Sequence, residues 1–523
     1  MSVFFIALLL TIAFSFLPER FLKPEAPRLN FKTAFLQSLL VSILFLCVSL
    51  IVQRAVFSGL AVSIFLIILT AVSNAKFQAL REPMVFSDIA MFSQAFKHPR
   101  LYFPFLGLAP VIIAPIIIIG LIITVLKLEP ALAFTWQRII GSVLAIIAFY
   151  TLAKLLALPL KLSMNPGKDN AHYGLLNSQF IYSVQASNNK HKQKINQILR
   201  NSQFNKTKTD QKKEMAPPPF FCISPENKRC NITVIQSESF FDARRLHPSI
   251  KTSLLKSFDH CNAESIQYGK LKIPAWGANT MRSEFAFLSG LKSEQLGLYQ
   301  FYPYQYLHIM KIHSIASLLK SQGYYCVCIH PHSASFFGRD RIFPAMGFDK
   351  FIDINSFNKD DCFGPYISDQ AVTEKIIETT KENTDKPLFI FAITMENHGP
   401  LHLEKTTEQE QSSYYSQPPI AKPNDLTVYL RHLANADQMI KTLTQYYQQT
   451  YRQSGDKTTL CLYGDHVPSM PKIYHQLDYN DEHSDYFIWQ NTMNNKPLNK
   501  TISIEDLAAQ TLNFMVTKQT KKL

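Results

Sequence analysis

Residues 231–240 read NITVIQSESF. Ile232, Thr233, Val234 and Ile235 are β-branched, the side chains that suit a pleated, buried strand. The run ends at Ser237-Glu238-Ser239, where polarity returns at once. The same grammar recurs three times downstream. YYCVCI (324–329) leads into HPHS, with His330 and His332; PLFIFAIT (387–394) leads into MENHGP, with Glu396 and His398. TTLCLY (458–463) leads into GDHVP, with Asp465 and His466. Helical patterns lie between these runs, at 279–290, 309–322, 368–382 and 425–450. Strands alternating with helices predict βαβ units and a mostly parallel sheet. Ligands of open α/β sheets bind beyond the carboxyl ends of the strands. Four strand ends therefore deliver Glu, His, His and Asp-His to one edge.

The residue types narrow the chemistry. A carboxylate from one strand end and an Asp-His pair from another are hard-to-borderline ligands that suit Mn²⁺, Zn²⁺ or Mg²⁺. A hydroxyl placed as a further ligand would lose its proton more easily and become a nucleophile. WGANTMRSEFAFLSG (276–290) offers one. Its turn passes through Asn279-Thr280 into a periodic apolar run of Met281, Phe285 and Leu288, so Asn279 or Thr280 is expected at a helix N-cap. There the helix dipole would favour an alkoxide and an anionic group attached to it. The plain reading is that Thr280 only caps; the strand-end cluster makes it the expected nucleophile.

The first 160 residues are different in kind. Apolar runs cover Ser2 to Leu17, Ala34 to Val52, Ala55 to Ala75, Phe105 to Leu126 and Ile139 to Leu160. A membrane span needs roughly 17–25 such residues, so about five transmembrane helices are expected. The N-terminus lacks a basic n-region and a small-residue cleavage site, which predicts a retained anchor. The net charge of +14 is uneven. Residues 1–160 hold 12 Lys/Arg against 5 Asp/Glu, residues 161–216 hold 10 against 3, and the remainder holds 31 of each. The basic excess thus sits beside the membrane, suiting anionic lipid head groups. A neutral folded domain argues against nucleic acid. Of eight cysteines, Cys47 falls in a span; Cys222 and Cys230 are near enough in sequence to pair, and Cys326 and Cys328 share a strand face.

At this point a resemblance is plain. The sequence resembles the lipoteichoic acid synthase and phosphoglycerol transferase group, which has a sulfatase-like fold within the alkaline phosphatase superfamily. VIQSESF, NTMRSEF and YGDH carry it, with HPHSASFFGRDRIFPAMGFDKF and MENHGP. The resemblance implies Glu238, Thr280, Asp465 and His466 as ligands of one divalent ion, Mn²⁺ first and Zn²⁺ or Mg²⁺ as alternatives. It implies Thr280 as nucleophile, and His330, Arg339 and His398 as substrate-binding residues. Teichoic-acid members tend to place Trp where Phe337 stands, which puts their particular acceptor in doubt but not the chemistry. The implied layout is an α-helical membrane domain (1–160), a juxtamembrane connector, helical around 171–201, with a Pro-rich linker (161–218), and an extracytoplasmic α/β sulfatase-like domain (219–523).

The function expected from this is transfer of phosphoglycerol from phosphatidylglycerol to a cell-surface or periplasmic glycan through a phospho-threonine intermediate. Phosphoethanolamine transfer to a lipid or sugar needs the same nucleophile and metal. A catalytically silent membrane protein with a glycan- or partner-binding outer domain is the alternative of another class. The group's members are multi-pass proteins of the cytoplasmic membrane whose catalytic domain faces outward. Loop charge votes the other way: Arg20, Lys23, Arg28 and Lys32, with Lys76, Arg81, Lys97 and Arg100, would by positive-inside bias lie in the cytoplasm. We expect the outward orientation, since five spans from a cytoplasmic N-terminus end outside. Asp437 is expected to be a structural contact, His432 and His475 surface residues, and Glu284 a support behind the site.

Overall fold

In the computed structural model, residues 2–89, 119–133, 135–205, 229–304, 310, 312–492 and 496–516 are described. The chain divides into two units, Met1–Lys194 and Ile195–Leu523.

The first unit opens with α1 (Ser2–Glu19), apolar but only 18 residues long. Helices α2 (Phe31–Val52), α3 (Ala55–Leu80) and α4 (Trp136–Ala157) are long and apolar enough to cross a membrane. The span expected at 105–126 lies mostly outside the described residues; its end is the apolar helix Ile119–Leu128. Helix α2 starts where the sequence supplies a reciprocal cap. The Asn30 side chain accepts from the Thr33 N–H at 3.0 Å and Thr33 Oγ1 accepts from the Asn30 N–H at 2.9 Å. Two short helices follow α4, α5 (Pro166–Tyr173) and α6 (Leu175–Ala186), then Asn189–Arg200. The buried Glu19 carboxylate accepts the Leu175 N–H at the first turn of α6, where the helix dipole favours negative charge.

The second unit is built on a nine-stranded sheet. Its strands are β1 (Cys230–Ser237), β2 (Gln267–Lys272), β3 (Tyr325–Ile329), β4 (Lys350–Ile352), β5 (Leu388–Ile393), β6 (Lys457–Gly464), β7 (Ser484–Gln490), β8 (Leu498–Asn499) and β9 (Ile502–Ser503). The order is β8-β2-β7-β6-β1-β5-β3-β4, with β9 also on β2. Strands β6, β1, β5, β3 and β4 run parallel, whereas β7 is antiparallel to both neighbours. The four runs expected as strands are the four central ones. Each is apolar almost throughout because both faces of a parallel sheet are covered.

Helices α7 (Lys256–Glu264), α8 (Thr280–Ser289), α9 (Ile315–Ser321), α10 (Arg339–Ala345), α11 (Asp369–Glu382), α12 (Asn424–Ser454) and α13 (Ile504–Val516) surround the sheet. Helix α12 lays Leu426, Leu430, Leu433, Ile440, Leu443 and Tyr447 into the main core at helical spacing. Asp437 on α12 accepts the N–H groups of Ser257 and Phe258 at 2.9 and 2.8 Å, the structural role expected of it. Helix α8 is buried on every side from Met281 to Ser289. Its Phe287 stacks on Phe391 and Tyr463, at 5.8 and 4.9 Å between ring centroids. The polar residues of α8 accordingly find partners inside: Ser283 Oγ donates to the Asp465 carbonyl at 2.6 Å and Glu284 pairs with Arg339.

Gly464 closes β6 against the chain that leaves β1. A Cβ there would lie 1.8 Å from the Phe240 carbonyl oxygen. Backbone cannot yield as a side chain does, and overpacking of this kind costs about 1–3 kcal/mol or more. We expect Gly464→Ala to lower the melting temperature of the detergent-solubilised chain by several degrees and to displace Asp465, read by circular dichroism and by metal content.

A candidate metal-centred active site

Ser237 lies opposite Gly464 in the β1–β6 ladder, so Glu238 and Asp465 leave the sheet side by side. With His466 they bring ligand atoms within 4.8 Å of one another, all three residues buried. Asp465 Oδ1 accepts the N–H groups of Ser239 and His466, each at 2.9 Å. Its Oδ2 is buried with no hydrogen-bond partner among the described residues. Glu238 Oε1 accepts from Ser239 Oγ at 3.0 Å and lies 3.4 Å from His466 Nε2. His466 Nδ1 is 3.2 Å from the Val467 carbonyl, which can only accept. A proton on Nδ1 suits that acceptor, and Nε2 stands 3.4 Å from Glu238 Oε1 and 3.3 Å from Asp465 Oδ2.

These features fit a divalent cation. Burial first, then the charge of Asp465, push the Glu238 carboxyl up to about 8. Two buried carboxylates this close do not both ionise unless a positive charge joins them. His466 Nε2, Asp465 Oδ2 and Glu238 Oε1 converge as a ligand set, and an ion held there would take the place of the proton on Glu238.

Thr280 is the first residue of α8, and its Oγ1 lies 3.4 Å from His466 Nε2. The structure decides between the two residues expected at the N-cap. Asn279 occupies the N-cap, in the left-handed region at φ 66°, and its side chain makes no capping bond. The Thr280 hydroxyl thus faces the cluster rather than serving the helix. The Gly277 N–H donates to the Val467 carbonyl at 3.1 Å, which stitches the turn before α8 to the Asp-His strand end.

His330 and Arg339 form a separate buried knot with Glu284. Arg339 Nη2 is 2.9 Å from Glu284 Oε2 and its Nε is 3.0 Å from Oε1. Arg339 Nη1 donates to His330 Nε2 at 3.3 Å, and His330 Nδ1 donates to the Ile393 carbonyl at 3.2 Å. Burial and the adjacent guanidinium hold the His330 pKa well below its usual value, so the ring is neutral. The guanidinium also sits 5.2 Å from the Phe337 ring centroid. Glu284, expected behind the site, is the counter-ion of Arg339. His398 is half-buried in the turn after β5; its Nδ1 donates to the Gly399 carbonyl at 2.6 Å and Tyr366 packs edge-on at 5.3 Å. Burial lowers its pKa despite the opposing pull of Asp465.

One expectation is overturned. His432 is not a surface residue: it is 1% exposed, with Nδ1 2.9 Å from Glu396 Oε1 and Nε2 2.8 Å from Glu404 Oε1. The signal was present in the sequence. His432 falls three residues after Tyr429 and four before Ala436, inside the buried stripe of α12. Glu396 and Glu404 bond it and Asp369 bonds Glu396; of these only Glu396 was named from the sequence, as a strand-end residue. His475 is exposed, as expected.

A mostly parallel sheet whose carboxyl edge gathers two acids, a histidine and a helix-terminal threonine defines a sulfatase-like fold. The chain belongs to the sulfatase family, whose model matches residues 231–516, more than half of it. It is 26% identical over 458 residues to the capsular polysaccharide biosynthesis protein RkpI of Rhizobium meliloti, covering 83% of this chain and 77% of that protein. It is 25% identical over 157 residues to lipoteichoic acid synthase 1 of Bacillus subtilis, covering 29% of this chain and 22% of that one. The integral membrane protein lipooligosaccharide phosphoethanolamine transferase A (EptA) of Neisseria meningitidis shares the fold along nearly the whole length. That match has a TM-score of 0.54 at 12% identity, over 98% of this chain and 95% of that chain.

Removing one of so few ligands weakens an open site severely. Asp465→Asn or His466→Ala should therefore purify with metal reduced at least about tenfold, measured by elemental analysis. Because Glu238 holds a proton until about pH 8 in the metal-free site, metal uptake should release a proton below that pH and tighten as pH rises toward it. Calorimetry in buffers of different ionisation enthalpy reads this.

Proposed function

We propose that the protein transfers phosphoglycerol from phosphatidylglycerol to a hydroxyl of a cell-surface or periplasmic glycan. The observation that carries this is the Thr280 hydroxyl, 3.4 Å from His466 Nε2 at the N-terminus of a fully buried helix. Glu238, Asp465, His466 and Thr280 would hold the divalent ion, taken as Mn²⁺. When bound, that ion supplies charge neutralisation at phosphoryl oxygens and favours the threonine alkoxide.

The protein's own residues account for the rest. Thr280 Oγ1 forms a bond to phosphorus, and the bond from phosphorus to the diacylglycerol oxygen breaks. The hydroxyl proton of Thr280 ends on diacylglycerol, which departs. The acceptor hydroxyl then bonds to phosphorus, the bond to Thr280 breaks, and the acceptor's proton returns to Thr280. The helix terminus favours the anionic group on Thr280 throughout. His398, neutral and half-buried, accepts or returns the proton at its free ring nitrogen. Arg339, anchored by Glu284, holds its charge beside the reacting phosphate. The glycan acceptor is supported by the likeness to a capsular polysaccharide biosynthesis protein, and the membrane setting by three helices of spanning length. We place the catalytic unit outside the cytoplasmic membrane, where donor lipid and glycan meet.

Thr280→Ala should abolish transfer, by roughly four to six orders of magnitude, while leaving the fold intact. The residue makes no capping bond, so its loss costs less than the ~0.5–2 kcal/mol of a true cap. Thr280→Ser should keep partial activity. Mass spectrometry after incubation with head-group-labelled phosphatidylglycerol should find the adduct on the peptide holding Thr280. Labelled phosphatidylethanolamine is the parallel arm, and label from it alone would replace phosphoglycerol with phosphoethanolamine. Wild-type turnover by the alanine variant would reduce Thr280 to a structural residue. A reporter fused after residue 523 should be active only outside the cytoplasm.

A further inference from the structure

The histidine that sequence reasoning put on the surface is the centre of a second buried polar network, next to the metal ligands but not among them. His432 of α12 lies between two carboxylates. Glu396, in the turn after β5, meets its Nδ1 at 2.9 Å, and Glu404, ahead of α12, meets its Nε2 at 2.8 Å. An ionised carboxylate can only accept, so an imidazole bonded to two of them is held as the doubly protonated cation. Burial works against that charge, but the hydrogen bonds to Glu396 and Glu404 outweigh it and push the His432 pKa up to about 9.

The other charged groups around it agree. Arg431 pairs with Glu404 at 3.0 Å and with Glu410 of the helix Glu408–Tyr414. Glu396 is further tied by Asn435 Nδ2 at 2.6 Å and by the Asp369 N–H at 2.7 Å, at the start of α11. Burial and the charge of Glu396 keep the Asp369 carboxyl well above its usual range. Three helices and the turn after β5 are therefore joined through one imidazole.

What the network fixes is the segment 396–404. Glu396 is immediately followed by Asn397 and His398. Asn397 is 4% exposed, yet neither its Nδ2 nor its Oδ1 has a partner among the described residues. A buried amide with both ends unused is costly unless something outside the protein completes it. Its neighbours on either side feel the metal ligands: the charge of Asp465 acts on His398, and that of Glu238 on Asp369, which bonds Glu396.

We propose that His432 is a positioning residue of this site: as an imidazolium it bridges Glu396 and Glu404, locking the turn that presents Asn397 and His398 to the substrate. This rests on the function proposed above, which has His398 serving the reaction. The clamp is at full strength below the ordinary histidine value of 6.5 and is lost as pH rises through about 9.

The test uses the full chain in detergent micelles, comparing wild type with His432→Gln, Glu404→Gln and the double variant. Hydrogen exchange at one pH should quicken about tenfold or more over residues 396–404 in each variant, with exchange at 464–467 and metal content unchanged. Turnover of labelled phosphatidylglycerol should fall by as much as roughly 10²-fold, as when a reacting group is displaced by about an ångström. The double variant should cost no more than either single one, because the residues act as a unit. Wild-type activity should decline through pH 9, and the His432→Gln profile should lack that limb. Unchanged exchange over 396–404 in His432→Gln overturns the clamp, as does an alkaline limb that survives the substitution. If wild type turns over no phospholipid, the function proposed above fails, while the exchange comparison still decides the clamp.

Discussion

Glu238 and Asp465 are two acids that the sheet forces together inside the protein. Neither can move away, because each is the residue that follows a central strand and the pairing of Ser237 with Gly464 fixes where those strands end. Like charges in a buried place are tolerable only with a proton or a cation between them. Much of the surrounding structure exists to hold that arrangement: N–H groups of Ser239 and His466 on one oxygen of Asp465, the Val467 carbonyl turning His466, and Ser283 fastening α8 to the Asp465 carbonyl. The sheet supplies the confinement, and the chemistry follows from relieving it.

A second charge problem is solved nearby in a different way. Arg339 is buried, and Glu284 of α8 neutralises it through hydrogen bonds from Nε and Nη2. A lone buried guanidinium would be prohibitive, whereas a bidentate pair keeps the charge in place and fixes its direction. Since Thr280 and Glu284 are on the same helix, four residues apart, the position of α8 sets both the candidate nucleophile and the anchor of Arg339. His330 completes the knot as a neutral acceptor rather than as a free group.

The central strands, and the acids and histidine that end two of them, were legible because they are local. A β-branched run ending in polar residues can be read without knowing its neighbours, and the four runs became four adjacent strands. Strands β2 and β7 were not legible. Gln267–Lys272 has almost no apolar pattern, and its place depends on antiparallel pairing with a segment more than two hundred residues away. Asn279 and Thr280 could not be told apart as cap, since the choice turned on a left-handed φ that asparagine tolerates. His432 was misread because a histidine's charge suggests solvent, while its helical phase within α12 placed it in the core. Glu404 could not have been paired with it from sequence, the two being 28 residues apart.

The burial of α8 on all sides has a kinetic meaning. A nucleophile carried on a loop can swing away once it has reacted, whereas Thr280 stands on a helix that is buried from Met281 to Ser289 and cannot shift without opening the core. If Thr280 is the nucleophile proposed above, a group bonded to it would stay where it was received until a second molecule comes to collect it. On the function proposed above, the supply of acceptor, rather than any motion of α8, would set the lifetime of that state, and the protein would act as a store of activated groups.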